Sequence, residues 1–320
     1  MNISRRSFGA ASLLATLPVA ARAQRRPVRI VVPAAPGGAI DIIGRIYATR
    51  LGDLLGSTWV VENRSGASNT LGAAEVARSA ADGLTYLVNA DIQLMAKHVM
   101  RSVPYDPVGD FTPISRLATA PMVLVGNPRS TPEGGIAALI PAMKSRPDRF
   151  TFANSGLGSM GHLATEGFKR ETGLDSLVVT YRGTAPALTD VVSGNTALMV
   201  APLGSALPQI EDGKLRAYAI MGPQRSPRAP AIPTIAEQGM PSLDFTLWYA
   251  MWAPKGLADA EADRVNTAVQ TISREPDIRA RLAEQGAEPV TEDRATFTRF
   301  IATENVRSAK MAEVAKIEPE

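Results

Sequence analysis

Cysteine is absent from all 320 residues, and with it go disulfides, thiol catalysis and thiolate metal sites. Histidine is almost absent. The two present, His98 and His162, have no recognisable partner at metal-ligand spacing, so both read as structural and no metal site is expected. There is no G-x-S-x-G elbow or other visible nucleophile constellation, and the chain is read as a non-enzyme. No long apolar run follows the first residues, so the mature chain is expected to be soluble.

What is present begins with "MNISRRSFGAASLLATLPVAARAQ". Paired Arg5 and Arg6, an apolar stretch from Phe8 to Val19 and the small-x-small site Ala21-Arg22-Ala23 read as a secretory signal peptide over residues 1–23. Ser4-Arg5-Arg6-Ser7-Phe8 has the look of a twin-arginine signal. Cleavage after Ala23 takes Arg5, Arg6 and Arg22 from the 34 basic residues and leaves them equal to the 31 acidic ones. The apparent basicity belongs to the signal, and no electrostatic case for nucleic acid survives. The expected destination is the periplasm.

The mature chain, long enough for two domains, alternates strand and helix signals. Val28 to Val32 is a continuous apolar run, as in a strand buried on both faces. After Pro36-Gly37-Gly38, the residues Ile40, Ile43, Tyr47, Leu51 and Leu54 recur at helical spacing. "TWVVE", "LTYLV", "PMVLVGN", "FTFAN", "SLVVTY", "TALMVA" and "LRAYAIMG" follow as strands with helix-like stretches between them. The tail from Ala258 to Gly286 predicts two amphipathic helices parted near Pro276. Repeated β-α units predict an α/β fold with mostly parallel sheets flanked by helices. An apolar stretch around residue 123 and the Pro-rich stretch ending in "LWYAMWAP" are candidate crossings between domains. The expected division is 24–124 plus 245–320 as one discontinuous domain and 125–244 as the other, with a ligand cleft between them.

Three loops stand where a strand feeds a helix. Pro36-Gly37-Gly38, with Asp41 just beyond, would turn unpaired helix N–H groups toward an anion, or would simply turn the chain. "NSGLGSMGH" contains a literal G-x-G-x-x-G at Gly156, Gly158 and Gly161, which in a nucleotide fold would cradle a pyrophosphate. Arg182, some twenty residues on, would then face a 2′-phosphate, and the alternative function is an exported NADP-binding oxidoreductase. Tyr181-Arg182-Gly183-Thr184 offers a hydroxyl, a guanidinium and backbone donors to a polar ligand. Trp248, Tyr249 and Trp252 read as packing residues of a returning strand.

"RIVVPAAPGGAIDIIGR", "VVENRSGAS", "AADGLTYLV", "VPYDPVGDFTPIS", "YRGTAPALTDVVSG" and "KLRAYAI", in this order over nearly the whole mature chain, resemble the extracytoplasmic receptors of tripartite tricarboxylate transporters, the Bug family. The resemblance implies a two-domain periplasmic binding protein of the Venus-flytrap kind. It would take a small organic carboxylate, use no cofactor, act as a monomer, and serve a membrane permease or a sensory pathway. It also implies a ligand-binding set: Ala35, Pro36, Gly37, Gly38 and Asp41; Ser68; Asn89 and Asp91; Asn154, Ser155 and Ser159; Tyr181, Arg182, Gly183 and Thr184; and Ala201. At two places the chain departs from the family. Asn89-Ala90-Asp91 stands where a Ser/Thr-rich stretch is common, and Ala201 stands where many members carry an aspartate. Asp91 is therefore expected either to favour a ligand with one carboxylate and a hydrogen-bond donor over citrate, or merely to cap the segment that follows.

Overall fold

The computed structural model describes residues 26–320 except Arg182, Lys316, Glu318 and Glu320; the expected signal peptide lies outside the described residues. The first stretch runs β1 (Val28–Val32), α1 (Ala39–Leu55), β2 (Trp59–Asn63), α2 (Thr70–Ala77), β3 (Thr85–Ala90), α3 (Ile92–Val99) and β4 (Phe111–Ala120). The middle runs β5 (Met122–Gly126), α4 (Gly135–Ser145), β6 (Phe152–Asn154), α5 (Met160–Thr172), β7 (Val178–Thr180), α6 (Thr184–Ser193), β8 (Leu198–Pro202), α7 (Leu203–Glu211) and β9 (Arg216–Ile220). The last stretch runs β10 (Leu247–Pro254), α8 (Asp259–Ser273), α9 (Pro276–Glu284), β11 (Glu288–Pro289) and α10 (Arg294–Val314).

These strands form two sheets, ordered β11-β4-β10-β3-β1-β2 and β7-β6-β8-β5-β9. The chain leaves the first sheet at Pro121, between β4 and β5, and rejoins it at β10. Both sheets are mixed, which corrects the expectation of mostly parallel pairing. β1 pairs in parallel with β2 and β3, and β6 with β7 and β8. β10 instead runs antiparallel to β3 and β4, and β5 antiparallel to β8 and β9. The reason is the crossing itself. β5 and β10 are the first strands after each passage, so they enter their sheets from the opposite end.

Each sheet is apolar on both faces. Ile30, Tyr47, Val88 and Met251 share one cluster on the first sheet, and Val31, Leu87, Trp248 and Trp252 another on its other face. On the second sheet Leu124, Phe152 and Phe168 are separated in the same way from Val123, Met199 and Ala201. Alternation along each strand produces this split. In α1 the stripe Ile43, Ile46, Tyr47 and Leu51 is buried, whereas Leu54 is exposed.

Two helices have no counterpart in the sequence reading, α3 and α10. The buried stripe of α10 is Phe297, Ile301, Glu304, Ser308 and Ala312. The spacing is helical, but two of the five are polar and blunt the periodic signal. α10 packs on α3, β4 and α8 of the first sheet and also reaches α5 of the second. The two halves meet again at two glycines. A Cβ on Gly204, in α7, would lie 2.6 Å from the Cα of Gly286, in the turn before β11. Likewise a Cβ on Gly158 would collide with Val99 of α3. The first is a close approach of two backbones, which requires glycine, whereas Gly158 meets the Val99 side chain and takes a left-handed φ of 70°.

Candidate functional site

Between the sheets lies a cavity of about 820 Å³. Its wall is built where strands end and helices begin: Gly37 to Ile40 after β1, Asp91 and Ile92 after β3, Ser155 and Ser159 to Gly161 after β6, Thr184 and Ala185 after β7, and Pro202 at the end of β8. Open α/β sheets present ligands to this edge because the first-turn N–H groups of the helices have no partners within the helix and carry partial positive charge. At α1 and α6 no side chain caps the terminus, which leaves first-turn donors there to whatever enters the cavity, whereas at α7 the Leu203 N–H is taken by the Pro121 carbonyl at 2.8 Å. No Lys or Arg lines it among the described residues, and Asp91 is the sole carboxylate in its wall.

Of the residues expected to bind ligand, Gly37, Gly38, Asp91, Ser155, Ser159 and Thr184 line this cavity. Others stand one layer behind. Asp41 is buried, and its carboxylate accepts from the Gly37 N–H at 2.9 Å, from Arg45 Nε at 3.0 Å and from Asn63 Nδ2 at 2.9 Å. Burial works against its ionisation, but the hydrogen bonds from Arg45, Gly37 and Asn63 outweigh that and hold the carboxyl below its usual range. Asp41 therefore fixes the first loop. Asn89 accepts from Asn69 Nδ2 at 3.2 Å and donates to Gln93 Oε1 at 3.0 Å, and Asn154 accepts from the Gly156 N–H at 2.8 Å.

The Tyr181 hydroxyl donates to Asp190 at 2.6 Å, and the Gly183 N–H to the Ser155 carbonyl at 3.0 Å. Ala35, Pro36 and Ser68 flank lining residues without being part of the wall. Ala201 is wholly buried in the core, paired with Val123. Arg182 lies outside the described residues.

The wall also contains residues that local sequence reading passed over. Asn69 ends a run of three non-glycine residues with left-handed backbone: Ala67 at φ 45°, Ser68 at 48° and Asn69 at 68°. Such strain persists only where the surroundings enforce it. Here Thr70 closes the turn, with both its N–H and its hydroxyl bonded to the Ala67 carbonyl. Met122, Ser205, Gln209, Leu247, Tyr249 and Gln285 come from elements far apart in the chain. "NTLG" after "GAS" and a glutamine beside Gly286 were the only local hints. Tyr249 packs in the core of the first sheet and also belongs to the cavity wall, while Trp248 and Trp252 pack against each other and against Phe300 and Phe297.

Asp91 is the anomaly of the site. It is 6% exposed, and its Oδ2 is buried without a hydrogen-bond partner among the described residues. Although it stands at the start of α3, its side chain makes no capping bond. Burial, reinforced by the nearby Glu304 carboxylate, pushes its pKa up to about 7, against the pull of the Asp91 and Ile92 backbone N–H groups. The same burial, with Asp91 beside it, raises Tyr249.

The glycine motif is spent on its own loop. Gly156 N–H is taken by Asn154, Gly158 N–H by His162 Nδ1 at 3.1 Å, and Ser159 Oγ accepts from the His162 N–H at 3.2 Å as the cap of α5. A Cβ at Gly161 would sit 2.6 Å from the Val200 carbonyl, so this glycine lets α5 pack on β8. Two donors that a pyrophosphate would need are already occupied, and the nucleotide reading loses its basis. Among the described residues no cluster of three metal-ligating side chains occurs.

Comparison with known proteins agrees with this geometry. BugT of Bordetella pertussis is 37% identical over 286 residues, covering 89% of this chain and 87% of the relative. An R. palustris protein solved with adipate superposes with a TM-score of 0.81 at 35% identity, covering 92% of this chain and 99% of that one. MatC of Rhodopseudomonas palustris with bound malate gives 0.77 at 29% identity, covering 92% and 100%. The model of the tripartite tricarboxylate transporter family receptor matches residues 43–317. The chain therefore belongs to the tripartite tricarboxylate transporter receptor family and is a solute-binding protein of that fold.

Proposed function

We propose that this protein captures a small organic carboxylate outside the cytoplasm and presents it to a membrane permease of the tripartite type. The observation that carries the reading is the convergence of the uncapped N-termini of α1 and α6 on one cavity whose described wall has no cationic side chain. Backbone N–H groups at helix starts bind carboxylates directionally. Relatives solved with adipate and malate support the same ligand chemistry. Residues 24–124 with 245–320, and 125–244, are the two bodies that close on the ligand. Residues 1–23 are the export signal, removed near Gln24. The decisive experiment is calorimetry of the exported, refolded protein against mono-, di- and tricarboxylates, alongside Gly38→Val. A carboxylate that binds the parent and not the variant is expected. A panel with no binder, or a variant that binds equally well, would refute the site.

A further inference from the structure

Given a carboxylate held at the helix N-termini, as proposed above, we propose that the same ligand carries a protonated amine that pairs with Asp91. The cavity is thereby assigned to zwitterionic amino-carboxylates rather than to carboxylates that lack an amine.

The case starts from an unpaired group. Asp91 belongs to the cavity wall, is more than nine-tenths buried, and has an oxygen with no partner. A native structure seldom leaves a buried carboxylate oxygen unmatched, because its desolvation is not recovered. The usual protein solutions are missing here. Its side chain does not cap α3, no Lys or Arg stands in the described wall, and the charged neighbour that acts on it, Glu304 of α10, has the same sign. Oδ2 is closed off from the cavity, and because rotation about χ2 only exchanges the two oxygens, a ligand donor must draw the side chain round about χ1 to reach the unpartnered position.

The ligand itself is the remaining source of a donor. A second ligand carboxylate near Asp91 would be repelled, whereas an ammonium would satisfy it. The wall thus asks for opposite charges at different places. Gly38 to Ile40, Thr184 and Ala185 offer N–H groups, whereas Asp91, beside Tyr249, offers an acceptor.

The test uses matched probes that differ in the amine alone: butyrate with 4-aminobutyrate, succinate with aspartate, glutarate with glutamate. Citrate and n-butylamine serve as single-ended controls. Calorimetry is run on the parent protein and on Asp91→Asn. In the parent, at least one amino member should bind about tenfold or more tighter than its partner, the strength of a charge-assisted hydrogen bond. Asp91→Asn should erase that margin while leaving the amine-free member unchanged or improved. Amine-free members or citrate binding as tightly as the amino members of the parent would overturn the assignment and leave the carboxylate reading standing. An Asp91→Asn variant that keeps the margin would do the same. If n-butylamine binds and no carboxylate does, the carboxylate reading falls and this assignment with it. The comparison within the parent decides the matter even should the variant fold poorly.

Discussion

At the scale of single residues, the site separates groups that touch the cavity from groups that hold those in place. Gly38 lines the cavity with ordinary backbone angles, φ −79° and ψ 165°, and a Cβ there would meet only the Ala35 carbonyl at 3.6 Å. Gly38→Val should therefore fold normally while its methyls cover the α1 donors, weakening carboxylate binding by about tenfold or more. Calorimetry with matched circular dichroism checks both halves. Asp91 makes a different prediction, about stability without ligand. Its folded pKa, about 7, lies above the roughly 3.9 of an unfolded aspartate. Between these values the unfolded chain has released a proton that the folded protein keeps, so stability falls as pH rises from about 4 to 7 and then levels off. Asp91→Asn should flatten that slope and raise stability at pH 8 by a few kcal/mol, measurable by urea titration at several pH values. A slope unchanged in the variant would show that Asp91 is not the group responsible.

At the scale of elements, what could be read beforehand depended on whether the pattern was local. Strands such as Val28–Val32 and helices such as α1 announce themselves, because their partners impose a period of two or 3.6 on the chain. α10 does not, since Glu304 and Ser308 occupy positions that the pattern expects to be apolar. The loops after β1, β6 and β7 were visible as glycine-rich turns. Tyr249, Ser205 and Gln285 were not, because only the crossing at Pro121 and the return at β10 bring their elements to the cavity. Which way a side chain points was equally hidden: Asp41 and Tyr181 look like ligand residues in sequence but are bonded to Arg45 and to Asp190. The glycine motif yields an element-level test. Gly161→Ala places a methyl against the Val200 carbonyl and should cost about 1–3 kcal/mol by forcing α5 from β8. A denaturant midpoint equal to that of the parent would contradict this packing role.

At the scale of the molecule, Gly204 and Gly286 mark a place where the two halves meet backbone to backbone. Gly204→Ala improves helix propensity within α7, yet its methyl would lie 2.6 Å from the Gly286 Cα and forces the two halves apart at this contact. The variant should bind carboxylate more weakly and fail to compact on ligand addition, whereas the parent should show a smaller radius of gyration by solution scattering. Equal compaction in both would mean that the contact plays no part in closure. The proposed making of the anion site from main-chain N–H groups has a further consequence, for how a receptor of that design changes over time. Most side-chain exchanges around the cavity leave those donors where they are. Capture of a carboxylate is thus insulated from mutation, while positions such as Asp91 and Asn69 are free to vary. A lineage built this way can trade one solute for another by single substitutions without first losing its grip on either, and an alanine scan of the wall would overlook the very atoms that provide that grip.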